Sequence, residues 1–331
     1  MILVTGGAGF IGSNLVAGLE SRGAGEIVVC DRLGSDEKWR NIAKRGLADV
    51  IPPEELLGFI EARAARLDAV FHLGAISSTT GRDADLIVET NFRLPCEIWA
   101  RCARHRVPLI YASSAATYGD GSAGFDDDGA PGALAALRPL NAYGWSKHQF
   151  DRWVARRIAA RDDAAAQPPR WAGLKFFNVY GPNEYHKDGQ ISVALKNFRE
   201  VSDGGAAVLF RSHHPDYPDG GQMRDFVWVG DCVDVMLWLM EHSRVNGLFN
   251  LGTGTARSFA DLAAALFAAL GRNTAIEFVD TPPAIRDRYQ YFTQARMQRL
   301  REAGYTAAFT PLEDGVRRYV QDFLLTDDPY L

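Results

Sequence analysis

Short apolar runs rich in β-branched residues alternate with longer amphipathic segments through the first half of the chain. Ile2 to Val4 precedes a helical pattern from about Phe10 to Ser21, and the runs Ile27 to Cys30 and Ala69 to His72 follow. The alternation resumes with a helical stretch near Asp85 to His105, a strand at Pro108 to Ala112, a helix opening near Asn141 and a strand at Gly173 to Phe177. Strands separated by helices predict βαβ units, whose strands lie parallel in one sheet. The expected fold class is α/β, with a doubly wound parallel sheet of Rossmann type running through about residue 177.

Two stretches, Phe125 to Arg138 and Ala159 to Arg170, are rich in Ala, Asp, Gly and Pro and read as surface loops or helix ends. Beyond residue 177 the alternation becomes irregular: a polar loop to Gln190, a helix to about Val201, then the loop run from His213 to Gly221. A loop-rich half suits substrate binding. A strand-like Asp225 to Val229, a helix Asp231 to His242 and a strand Leu248 to Leu251 read as a return to the sheet. This divides the chain into a dinucleotide-binding domain, 1-177 plus about 224-254, and a smaller C-terminal α/β substrate domain, about 178-223 plus 255-331.

Composition narrows the partners. Lys plus Arg is 36 against 41 Asp plus Glu, too balanced for a chain that binds by neutralising a phosphate backbone, so nucleic acid is not expected. The most apolar stretches, Val233 to Met240 and Leu262 to Leu270, fall short of the ~20 residues a bilayer needs. Cys30, Cys96, Cys102 and Cys232 form no CxxC pair, and Met1 runs straight into the first strand with no export signal, so a cytoplasmic protein with reduced cysteines is expected. The adjacent His213 and His214 lack a third ligand, and no metal is expected.

The candidate chemistry begins at Thr5-Gly6-Gly7-Ala8-Gly9-Phe10-Ile11-Gly12, between a predicted strand and a predicted helix. In that context the glycines Gly6, Gly9 and Gly12 permit a tight turn and close backbone approach, and the helix N-terminus meets a pyrophosphate. Asp31 ends the second strand, 19 residues past Gly12, where an acid reaches the adenosine ribose. Asp31 alone favours NAD; Arg32 and Lys38 beside it favour a 2′-phosphate, so NADP is expected, with NAD the alternative. Tyr143 and Lys147 lie four residues apart, on one helix face, where an ammonium would lower the phenol pKa and suit it to proton exchange with a hydroxyl. Ser114 or Thr117, just after a strand, would hydrogen-bond the reacting oxygen.

Taken together, the glycine loop, Asp31, Phe71-His72-Leu73-Gly74-Ala75, Ser114, Tyr143 with Lys147, and Asn178-Val179-Tyr180-Gly181-Pro182 resemble the extended short-chain dehydrogenase/reductases that act on nucleotide sugars. Gly74 to Thr80, Ser113 to Gly119, Lys175 to Pro182, Arg224 to Asp231 and Arg288 to Gln294 are similar to the branch of that family that epimerises ADP-heptose. The resemblance implies a carbon oxidised and re-reduced on its opposite face at C6″, for lipopolysaccharide core heptose, with the cofactor regenerated each turnover. Because one side chain cannot easily serve the hydroxyl in both orientations, a second proton carrier is required, and the resemblance assigns it to Lys187. It further implies cofactor contacts from Phe10, Ile11, Asp31, Arg32, Lys38, Leu73, Gly74, Ala75, Ile76, Ser77, Asn91, Tyr143, Lys147, Val179 and Lys187. Substrate contacts would come from Ser114, Asn178, Gly189, Lys196, Phe210, Arg211, Ser212, His213, Arg224 and Tyr289, and a homo-oligomer, pentameric by family, is implied.

This chain also departs from its relatives. A second cofactor lysine is replaced by proline in Ile51-Pro52-Pro53, Gly189 and Lys196 stand where the family has serine and histidine, and the loop His214 to Gln222 is longer than usual. A 4,6-dehydratase would need an acid pair after the serine, where this chain has Ala115-Ala116. A UDP-sugar 4-epimerase, needing no Lys187, is the enzymatic alternative, and a non-catalytic NAD(P) sensor is the alternative of another class.

Overall fold

The structure, a computed structural model, describes every residue except 161–165, 203 and 287–288. Six strands follow one another in the first half: β1 (Ile2–Thr5), β2 (Ile27–Cys30), β3 (Asp49–Ile51), β4 (Ala69–His72), β5 (Leu109–Ser114) and β6 (Trp171–Phe176). With Gly247–Leu251 they make one seven-stranded parallel sheet, ordered Gly247–Leu251, β6, β5, β4, β1, β2, β3. Every residue of β1, β2, β4 and β6 is buried, as expected of strands covered by helices on both faces. β1 pairs with both β2 and β4, so the strand order reverses beside it and opens a crevice at the carboxyl ends of β1 and β4.

Helix α1 runs from Phe10 to Ser21, as its pattern predicts. The stretch expected as one helix from Asp85 to His105 is instead Ala84–Val88 and Leu94–Arg104 joined by a π-helical turn, Glu89–Arg93. Phe125 to Arg138 is also less superficial than expected. Pro131 begins a short helix, Pro131–Ala136, Leu134 and Leu137 are buried, and the buried Asp127 carboxylate accepts the Asn250 amide at 2.7 Å. The stretch Ala159 to Arg170 includes 161–165, outside the described residues.

One expected strand does not rejoin the sheet. Only Phe226–Trp228 is extended, and it pairs with Asn178–Tyr180 in a separate two-stranded ribbon. The cause is Asp225, whose buried carboxylate accepts the amides of Thr253, Gly254 and Ala295 at 2.7, 2.9 and 2.9 Å, fixing this segment beyond the end of the sheet. A second apolar cluster gathers Tyr180, Leu195, Leu209, Trp228, Leu266 and Tyr319 from that ribbon, the pair 207–210 with 276–279, and the helices Val193–Ser202, Phe259–Ala269 and Leu312–Tyr319. Ala295, Met297, Leu300 and Tyr305, by contrast, pack into the core of the large sheet. No described helix is long and apolar enough to cross a membrane.

Candidate active site

The crevice is built by close backbone approach. Thr5, at the end of β1, bonds His72 Nδ1 through its hydroxyl at 2.7 Å and accepts the Gly74 amide at 3.1 Å, drawing the loops after β1 and β4 together. Gly6 has φ +66°, and a Cβ there would stand 2.6 Å from the Gly74 nitrogen; at Gly12 it would stand 2.0 Å from the Gly6 carbonyl oxygen. Neither position admits a side chain. No side chain caps α1, so its first amides face the crevice, an arrangement that receives a phosphate.

The resulting cleft of about 450 Å³ is lined by Gly6, Gly9, Phe10, Ile11, Gly12, Asp31, Lys38, Leu73 to Ser77, Tyr143, Lys147 and Lys187. These residues, expected from separate parts of the sequence, meet in one place. Asp31 accepts from the Ala8 and Arg32 amides at 3.0 and 2.8 Å and pairs with Lys38 Nζ at 2.7 Å. Arg32 lies in an adjoining cleft of about 830 Å³, where its guanidinium pairs with Glu54. A glycine cradle, an uncapped helix end and a carboxylate held for a ribose together fit a dinucleotide.

Tyr143 and Lys147 share a face of the helix Ala142–Ala160, whose start is fixed by Asn141 accepting the Gly144 amide at 2.8 Å. Lys147 is buried and donates to the Ala112 carbonyl at 2.8 Å; burial lowers its pKa to about 8, while Asp151, one turn on, pulls it upward. The expectation that an ammonium lowers the Tyr143 phenol is not met: burial pushes the phenol up, and the Ser114 side chain pulls it down. Between the two candidate hydroxyls the structure separates Ser114 from Thr117. Thr117 is fully buried, donates to the Ser114 carbonyl at 2.8 Å and accepts from Lys175 Nζ at 2.7 Å, so its one proton is committed.

Lys187 comes from the short 3₁₀ helix Tyr185–Gln190, its ammonium 5.2 Å from the centre of the Phe10 ring. Burial lowers its pKa, opposed by Glu184. Glu184 is itself buried and accepts from Ser192 Oγ at 2.7 Å and Tyr319 Oη at 3.0 Å. His186 and Gln190, not singled out in the sequence, line the same cleft, and adjacency to Lys187 was the only signal for them.

Asn91 supports the site from behind. It accepts the Ile76 amide and donates to the Ile76 carbonyl, both at 2.9 Å, and lies outside the cleft lining. Val179 sits in the ribbon opposite Val227. Of the expected substrate contacts, Phe210, Arg224 and Tyr289 come together: the Phe210 and Tyr289 rings are 6.0 Å apart and the Arg224 guanidinium lies 5.5 Å from Tyr289 and from Phe259. Arg224 is buried with no carboxylate on it among the described residues. Nearby, the Ser212 amide donates to Asp219 and the His213 amide to Tyr291 Oη, while Arg211 pairs with Asp280 at 3.7 Å. Asn178 and Gly189 are exposed, and Lys196 is half exposed and pairs with Glu200. Arg288 lies outside the described residues.

Residues 2–252 match the NAD dependent epimerase/dehydratase family. The chain belongs to that family, and its cofactor is accordingly a nicotinamide dinucleotide. It is 48% identical, over the full length of both chains, to an ADP-L-glycero-D-manno-heptose-6-epimerase of Nitratidesulfovibrio vulgaris strain DP4, and 42% identical, again over both full lengths, to one of Fusobacterium nucleatum. Among solved structures it resembles the Helicobacter pylori ADP-L-glycero-D-manno-heptose-6-epimerase, with TM-score 0.79 and 27% identity over 97% of this chain and 95% of that one. It also resembles the NAD complex of Thermus thermophilus UDP-glucose 4-epimerase, with TM-score 0.75 and 26% identity over 96% and 97% of the two chains.

Proposed function

We propose that this chain interconverts ADP-D-glycero- and ADP-L-glycero-D-manno-heptose by epimerisation at C6″, using NADP. One observation carries the reading beyond the likeness to full-length relatives: Tyr143 and Lys187, two proton carriers from unrelated segments, line a single cleft. A dinucleotide held in that cleft would supply a hydride acceptor that returns what it takes. What the chain supplies is proton traffic and orientation. Tyr143, held by Ser114, exchanges a proton with the C6″ oxygen in one configuration, and Lys187 does so in the other. Lys147, on the same helix face as Tyr143 and lining the same cleft, would orient the cofactor. Arg224, a buried guanidinium with no carboxylate partner among the described residues, suits the diphosphate, for which it offers paired donors. Phe259, from the second apolar cluster, and Tyr289 flank it, and Phe210 packs on Tyr289; we read that cluster as the substrate half of the molecule.

NADP is preferred because Lys38 and Arg32 stand on either side of Asp31, at the edge where a 2′-phosphate would project. The test is proton NMR of ADP-D-glycero-D-manno-heptose incubated with the purified protein without added nucleotide. Appearance of the L-glycero epimer is the expected result. Turnover of a UDP-hexose with no change in the ADP-heptose would transfer the chain to the 4-epimerases and remove Lys187 from the mechanism.

A further inference from the structure

The cleft that adjoins the cofactor cleft, sharing Asp31 with it, contains an acid that none of the dinucleotide chemistry above requires. Glu54 follows Pro52 and Pro53 at the start of a short 3₁₀ helix, so two fixed φ angles determine where it stands. The preceding strand is tied to the site, since Asp31 donates its amide to the Ile51 carbonyl at 3.1 Å. Glu54 pairs with Arg32, and Arg32, Glu54 and Asp31 all line the same cleft. Across Asp31, Lys38 is already paired at 2.7 Å. The charges at this edge therefore cancel, two cations against two carboxylates. A 2′-phosphate, bringing nearly two further negative charges, meets no net positive field and must displace or oppose Glu54.

We propose that Glu54 is a specificity-determining residue of the cofactor site, which through Arg32 narrows the preference for NADP so that the chain holds both NAD and NADP. The proposal rests on the dinucleotide reading above and on Asp31 and Arg32 flanking the ribose edge. It assigns Arg32 to the phosphate and Glu54 to restraining it, while Asp31 remains available to a free ribose hydroxyl. Glu54 and Arg32 are 60% and 71% exposed at their side chains, so the ion pair contributes little to folding and can be altered without disturbing the fold.

The test is a competition on the purified protein. Resident nucleotide is first stripped with charcoal; the protein is then incubated with equal concentrations of NAD and NADP, freed of excess nucleotide and denatured, and the two retained nucleotides are quantified by mass spectrometry. Wild-type protein is expected to retain both. Glu54→Gln shifts the retained NADP to NAD ratio upward by roughly fivefold, because one opposing charge is gone, and Glu54→Lys shifts it further. Arg32→Ala moves the ratio the other way, and raising the salt concentration shrinks all these differences. An unchanged ratio in both Glu54 variants, with nucleotide still retained, overturns the role of Glu54. Retention of neither nucleotide by wild-type protein overturns the dinucleotide reading itself.

Discussion

Tyr143 and Lys187 both titrate above neutrality in water and must come down to trade protons near pH 7, and the structure treats them differently. Burial lowers Lys187, toward the range in which an amine accepts and returns a proton, whereas it raises Tyr143 and leaves Ser114 to moderate the effect. Tyr143→Phe should keep the fold and retained nucleotide yet lose epimerisation by about 10²–10⁴-fold, as followed by NMR. Lys187→Met should be asymmetric. In single turnovers read at the reduced-nicotinamide absorbance, hydride transfer should survive from one epimer and vanish from the other; equal loss from both would remove its role as second proton carrier. A third prediction concerns His148, whose imidazole is held at about 4 by burial, with Asp151 opposing. Its folded pKa lies below the unfolded value of about 6.5, so the unfolded chain binds the extra proton between about pH 4 and 6.5 and His148 makes stability fall with acid there. Denaturant titrations of His148→Gln should show a shallower acid loss than wild type over that window. Gly6, Gly12, Asp31 and the Tyr143/Lys147 pair were legible in sequence because their geometry is local. The choice of Ser114 over Thr117 was not, since it depends on Lys175, 58 residues further on.

At the scale of elements, strands and helices followed their periodicity where a segment met a single environment. They departed from it where a polar residue had a separate destination. The predicted single helix carries a π turn, and within that turn lies Asn91, buried against the Ile76 loop and Ser146 Oγ. An extra residue in the turn re-aims one side chain, which periodicity cannot disclose. Beneath β5 and β6 lies another hidden arrangement: Lys175 and Asp151, both wholly buried, pair at 2.9 Å, with Ser113 Oγ donating to Asp151 at 2.7 Å. Reading Lys175 as part of a strand gave no hint of its partner on a helix. Lys175→Met leaves Asp151 as an uncompensated buried charge and should cost about 3–5 kcal/mol in urea unfolding, whereas a nearly neutral result would mean the pair contributes little.

Across the whole molecule, the two apolar clusters explain why the second half resisted reading. Outside the large sheet its strands are two to four residues long and pair across large sequence distances, as 207–210 does with 276–279, so no continuous pattern announces them. The same long-range economy governs residues 328–331. Asp328 pairs with Lys44 at 3.0 Å, Tyr330 receives Lys44 at its carbonyl and lies under Arg40, and the Tyr185 hydroxyl donates to the Pro329 carbonyl at 2.8 Å. Leu331 donates its amide to Asn183, while Asn41 donates to the carbonyls of Ala8 and Asn183. These contacts fasten the short helix bearing Lys38 to the one bearing Lys187, both of which line the cofactor cleft. An enzyme that restores its nucleotide in every cycle has no reason to release it. Cutting this tie, by Tyr330→Ala or removal of residues 328–331, should therefore turn a resident group into a diffusing one. Turnover would then acquire a KM for nucleotide, and activity would fade on dilution and return when the nucleotide is added back.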